Sequence, residues 1–98
     1  MDERIKKYAE EHIDELKKDI ADLCAIPSVL ADADGDAPFG QECKRALLAA
    51  GDLCEKYGFP TTNYDNYVIA ADLDPSLPRY LDMLGHTDVV PAGEGWTV

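Results

Sequence analysis

His86 and Asp88 place an imidazole one residue away from a carboxylate, in the stretch Leu84-Gly85-His86-Thr87-Asp88-Val89-Val90-Pro91. Side chains alternate along an extended chain, so residues two apart project from the same face. On one face, the carboxylate can fix the orientation of the ring. The other ring nitrogen is then free to bind a metal or move a proton. Gly85 leaves room for a ligand or for close backbone approach. Spacing alone is not specific, because His-x-Asp also occurs at strand ends with a purely structural role. A zinc site needs three or four protein ligands, and the rest of the chain offers few. His12 lies among charged residues of a helical segment and reads as a surface histidine. Cys24, Cys43 and Cys54 fall on helix faces that look like core. The sequence contains no HExxH, no nucleophile elbow and no phosphate-cradling glycine loop.

The elements that would carry the pair are readable from periodicity. Ile5, Tyr8, Ala9, Ile13, Leu16, Ile20 and Leu23 recur at spacings of three and four, one apolar stripe of a first helix. Asp2 is suited to cap its start. Pro27 disfavours helical geometry at Ile26, so the helix should stop near Cys24 or Ala25. Residues 26–40 form a loop rich in Asp, Gly and Pro. Its Asp32, Asp34 and Asp36 resemble the opening of a calcium loop, but position 12 counted from Asp32 is Cys43 and not Glu, which excludes an EF-hand. A second helix is expected from about Gln41 to Tyr57, ended by Gly58 in a left-handed cap. Thr61 to Tyr64 and Tyr67 to Leu73 read as strands joined by turn residues Asp65-Asn66, and Arg79 to Gly85 as a third strand. The order gives an α/β or α+β class with at least partly antiparallel pairing. Active sites in α/β sheets gather at the carboxyl ends of strands, which is where His86 falls.

Composition narrows the function classes. The 98 residues hold 9 Lys plus Arg against 20 Asp plus Glu, a formal net charge of -11. Such a chain is a poor partner for nucleic acid or an anionic membrane, both of which demand basic surface. The charge lies in the flanks: residues 1–38 carry 11 acids and 5 bases, and residues 61–98 carry 6 acids and 1 base. Most of these acids read as solvated surface. Cys43 and Cys54 on one helix would stand roughly 16 Å apart at about 1.5 Å per residue, too far for a disulfide. Three reduced cysteines and the absence of an apolar leader suggest a cytoplasmic protein. Two helices cover about one face of the sheet, so the apolar strands from Tyr67 to Leu84 would leave a surface prone to self-association or to association with missing structure.

Beyond spacing, the string Leu84-Gly85-His86-Thr87-Asp88-Val89-Val90-Pro91-Ala92-Gly93-Glu94-Gly95-Trp96 resembles the first metal-ligand motif of the M20 family of metallopeptidases, GHxDVVPxGxxW. Ile26-Pro27-Ser28-Val29, Pro38-Phe39-Gly40 and Tyr64-Asp65-Asn66-Tyr67-Val68 resemble segments of its dipeptidase branch, in the same order. The resemblance implies that residues 1–98 are the N-terminal portion of a zinc-peptidase-like catalytic domain: two helices, then about three strands of a mixed sheet. It further implies that His86 is a ligand of one metal in a two-zinc centre, and that Asp88 is the active-site carboxylate that orients the imidazole without touching the metal. Gly85, Pro91 and Trp96 match motif positions taken to be structural. In such enzymes two Zn2+ ions, with Mn2+ or Co2+ as alternatives, polarise the scissile carbonyl and activate a bridging water. A glutamate acts as its general base. The implied substrate is a dipeptide or small peptide. The family's remaining ligands, general base and lid domain follow this motif, beyond Val98. The 98 residues alone are therefore expected to be an inactive part of a dipeptidase. The alternatives are an N-acyl amino acid amidohydrolase of the same family and a non-catalytic acidic α/β interaction module.

Overall fold

The computed structural model describes residues 1–97; Val98, the last residue of the expected catalytic portion, lies outside the described residues. Three helices and one hairpin follow in order: α1 (Glu3–Glu11), α2 (Ile13–Cys24), α3 (Gln41–Lys56), β1 (Thr61–Tyr64) and β2 (Val68–Ala71). The α/β class expected from the sequence is the class observed. Asp2 caps α1, its carboxylate accepting from the Arg4 amide at 2.8 Å.

The long first helix is interrupted. His12 takes φ -113°, and helical hydrogen bonding resumes with the Leu16 amide donating to the His12 carbonyl at 3.0 Å. The His12 ring explains the break. Its Nδ1 sits 2.8 Å from the Tyr8 carbonyl, and the ring stacks on Tyr8 at 3.9 Å between centroids. A side chain that engages the backbone ladder is an ordinary cause of a helix bend. Apolar periodicity continues through such a bend, so the sequence reads as one helix.

α3 is the centre of the packing. It contacts α2 on one side and both strands on the other. Cys43 and Ala46 from α3, with Ala37 from the preceding loop, are the buried apolar residues. Gly51 faces the hairpin: a Cβ there would lie 2.9 Å from Ile69 Cδ1, so glycine lets β2 approach the helix. Gly58, at φ +85°, ends the helix as expected. The Phe59 amide donates to the Cys54 carbonyl at 2.9 Å and the Gly58 amide to the Glu55 carbonyl at 3.0 Å, the paired bonds of a Schellman cap.

Polar contacts fasten α2 to α3. Buried Asp19 accepts a hydrogen bond from the Tyr57 hydroxyl, and Lys56 reaches Glu15 at 3.0 Å and Asp19 at 3.3 Å. Tyr57 foremost, aided by Lys56, holds the Asp19 carboxyl below the usual range. The same bond, reinforced by burial, pushes the Tyr57 phenol up to about 12.

β1 and β2 pair antiparallel, with Thr61 opposite Ala71 and Tyr64 opposite Val68. Asp65 and Asn66 both take positive φ, 55° and 62°, which short polar side chains tolerate in tight turns. The Asn66 side chain also donates to the Asp36 carbonyl at 2.8 Å, tying the hairpin to the loop before α3. In that loop Asp36 is engaged by Lys44 at 2.8 Å, so this carboxylate is neutralised locally.

The expected third strand, Arg79 to Gly85, is not formed among the described residues. Arg79 grips Asp72 through two bonds of 3.0 Å, and the chain then leaves the hairpin. Backbone becomes a strand only against a neighbouring ladder, and none lies beside this segment. Its apolar side chains stand in solvent, Leu84 at 99% exposure. Two strands are therefore observed where about three were expected.

Candidate metal-ligand site

The site is built where residues 87–89 meet residues 28–29. Val29 and Val89 form an isolated parallel bridge, and the Val89 amide donates to the Ser28 carbonyl at 3.0 Å. The Ser28 hydroxyl donates to the Thr87 carbonyl at 2.6 Å. From beneath, the Cys43 thiol donates to the same Ser28 carbonyl at 3.3 Å. Burial, with the negative charge of Asp88 adding to it, pushes the Cys43 thiol pKa up, which keeps the sulfur protonated as this bond requires. Ser28 is only 2% exposed.

Held in this way, Asp88 turns both of its acceptors toward His86. His86 Nδ1 lies 3.0 Å from the Asp88 carbonyl oxygen and 3.2 Å from Asp88 Oδ1. Two acceptors at one ring nitrogen place the proton there. In the neutral ring Nε2 then carries the lone pair, and it makes no hydrogen bond among the described residues. That is the tautomer a metal-binding histidine needs, oriented by a carboxylate. The side chains remain open to solvent, 83% for His86 and 63% for Asp88.

The pair stands on the rim of a cavity of about 650 Å³ between α3, β2 and the 85–88 segment. Leu47 and Cys54 lie on its α3 side, Ile69 on its β2 side, and Gly85 and His86 at its edge. The cavity thus joins an apolar interior to one polar corner. Among the described residues, no group of three or more His, Cys, Asp or Glu side chains gathers to hold a metal. A zinc ion asks for three or four such ligands. These residues therefore do not make a complete zinc site; they offer one nitrogen and its orienting carboxylate.

The other candidates lie elsewhere. His12 is committed to Tyr8 in the first helical segment. All three cysteines are free thiols; Cys43 is buried, Cys54 half-buried, and Cys24 is exposed, contrary to the core position expected for it. Cys24 closes α2 at its last turn, where the chain already turns toward the loop. Spacing missed the part played by Ser28 and Cys43 in holding the His86 segment. The available signal was a buried-type apolar run, Ile26-Pro27-Ser28-Val29, interrupted by one hydroxyl. Nothing local links that hydroxyl to a carbonyl 59 residues away.

Known proteins share this whole stretch. The chain is 37% identical over 99 residues to the Beta-Ala-Xaa dipeptidase of Lactobacillus delbrueckii subsp. lactis, covering 99% of this chain and 21% of that protein. It is 35% identical over 94 residues to a "putative dipeptidase" of Staphylococcus aureus strain USA300, covering 93% of this chain and 20% of that protein. The chain therefore spans about a fifth of the length of the relatives it matches. No protein-family model matches it. The expected resemblance to dipeptidases is thus observed over nearly the whole sequence. No helix among the described residues is long and apolar enough to cross a membrane.

Proposed function

We propose that this chain forms part of the catalytic unit of a zinc-dependent dipeptidase of the M20 metallopeptidase type. In this reading His86 supplies one metal ligand, and Asp88 orients the ring. The observation that carries it is the paired geometry at residues 86–88, within a chain similar to dipeptidases over nearly its full length. The protonated Nδ1 faces Asp88, so Nε2 is the nitrogen offered to the metal. The zinc supplies Lewis-acid activation of water and of the scissile carbonyl. Its other ligands and the general base come from sequence outside residues 1–98. By itself the chain is inactive toward dipeptides, because its described residues gather one nitrogen donor where a zinc site needs three or four. The exposed apolar segment 79–85 fits the same picture: an apolar run with no ladder partner suits an interior strand of a larger sheet.

A transplant tests this. The aligned stretch of the Lactobacillus dipeptidase is replaced by this chain, and hydrolysis of a β-alanyl dipeptide is followed. The reading predicts zinc-dependent turnover in the hybrid and none in the isolated chain. Turnover of dipeptides by the 98 residues alone would contradict it, as would a folded hybrid with no activity.

A further inference from the structure

We propose that Ser28 is the positioning residue of the His86–Asp88 pair. It acts through the backbone of residues 87–89 and touches neither ring nor carboxylate. This inference rests on the reading of His86 as a functional imidazole, and adds to it a residue that no sequence motif assigns to the site.

Ser28 brackets Asp88 from both sides. Its hydroxyl donates to the Thr87 carbonyl at 2.6 Å, and its carbonyl accepts from the Val89 amide at 3.0 Å. The two peptide groups flanking the Asp88 Cα are therefore both tied to one buried residue. Their orientation decides where the Asp88 carbonyl and carboxylate point, and these are the two acceptors facing His86 Nδ1. Ser28 is itself fixed from below, since the Cys43 thiol of α3 donates to its carbonyl at 3.3 Å. A continuous chain of hydrogen bonds thus runs from the packed face of α3 through Ser28 and the 87–89 backbone to the imidazole. The pair needs this support. Gly85 and residues 79–84 have no ladder partner, and both side chains of the pair are largely in solvent. An imidazole that free, without an oriented acceptor at Nδ1, exchanges its proton between the two nitrogens.

The choice of serine follows. The position is 2% exposed, so an apolar side chain would be the expected occupant. A hydroxyl survives there because it has a carbonyl to satisfy. Alanine at this position would leave the Thr87 carbonyl without its donor, and the main-chain bond to Val89, now the single tie on this side, would open more often.

The test reads the ring and the backbone of the 98-residue chain directly, with no metal or substrate. Long-range proton–nitrogen spectra report which nitrogen of His86 carries the proton, and amide exchange reports the Val89 bond. The unsubstituted chain is expected to show the Nδ1–H form. In Ser28→Ala the ring shifts to the mixed tautomers of a free imidazole, and the Val89 amide exchanges about tenfold faster or more. Ser28→Thr restores the Nδ1–H form. A purely structural role would lower the unfolding midpoint without moving the tautomer, and that result would overturn the proposal. Should Ser28→Ala fail to fold, Ser28→Cys keeps the volume with a poorer donor and is expected to show an intermediate shift; an unshifted tautomer in that variant overturns the proposal equally. Failure of the hybrid to hydrolyse dipeptides would remove the dipeptidase reading and leave this tautomer response unaffected, so the two ideas fail separately.

Discussion

Residues 13–72 and residues 73–97 are held by different means. The first region is fastened many times over. α2 is clamped to α3 by Asp19, Tyr57 and Lys56, the hairpin is paired strand to strand, and Gly51 lets it sit close on α3. The second region has two anchors to the rest: the Arg79–Asp72 pair where it leaves the hairpin, and the Ser28–Val29 contacts at residues 87–89. Between these anchors the segment carries exposed apolar side chains and no ladder. The His86–Asp88 pair thus belongs to the loosely held region and takes its geometry from the firmly held one. A site of this kind is positioned at one point and left open elsewhere, which suits a ligand set completed by other parts of a protein.

The contrast can be broken by substitution. Ala46, at 2% exposure on α3, would hold a substituted carboxylate out of water. Ala46→Asp should cost about 3 kcal/mol or more and abolish the cooperative unfolding transition seen by circular dichroism. Leu84→Glu, in the open segment, should change stability by less than about 0.5 kcal/mol. Comparable losses from the two substitutions would mean that the second region is packed after all.

A medium effect is expected from pH. Asp19 and Glu15 both titrate below the usual carboxylate range, Asp19 chiefly through Tyr57 and Glu15 chiefly through Lys56. Their folded values are depressed, so their stabilisation is complete above about pH 4 and fades as the pH falls below it. Tyr57 behaves oppositely. Its folded value is raised to about 12, so its contribution is intact below about pH 10 and is lost between there and 12. Urea midpoints measured across pH should fall on both limbs. Tyr57→Phe should lower the plateau and flatten both limbs; an unchanged profile would remove the clamp from the account.

The smallest effect belongs to His86. Its ring is mostly in solvent, so His86→Ala should leave the urea midpoint of the 98-residue chain within about 0.5 kcal/mol of the parent. A large loss would show a structural histidine and weaken its assignment as a ligand.

What the sequence disclosed follows the same division. The ends of α3, the cap at Gly58, the strand Thr61–Tyr64 and the Asp65-Asn66 turn were all legible, because each is dictated by neighbours a few residues away. The same-face placement of His86 and Asp88 was legible from the period of an extended chain. The break at His12 was not, because a ring bonding back to Tyr8 leaves the apolar periodicity intact. The third strand was expected from composition, yet a strand exists only where a partner backbone lies alongside. The Ser28 anchor joins residues 59 apart, and no local pattern encodes such a bond.

The central claim is that His86 offers a metal a nitrogen oriented by Asp88. In the hybrid dipeptidase carrying this chain, zinc content and dipeptide turnover should be measured together for His86→Ala and Asp88→Asn. Asp88→Asn is predicted to weaken metal retention or turnover about 10–100-fold, and His86→Ala to lose more. A His86→Ala hybrid that keeps its full zinc complement and hydrolyses dipeptide at the unsubstituted rate would contradict the claim.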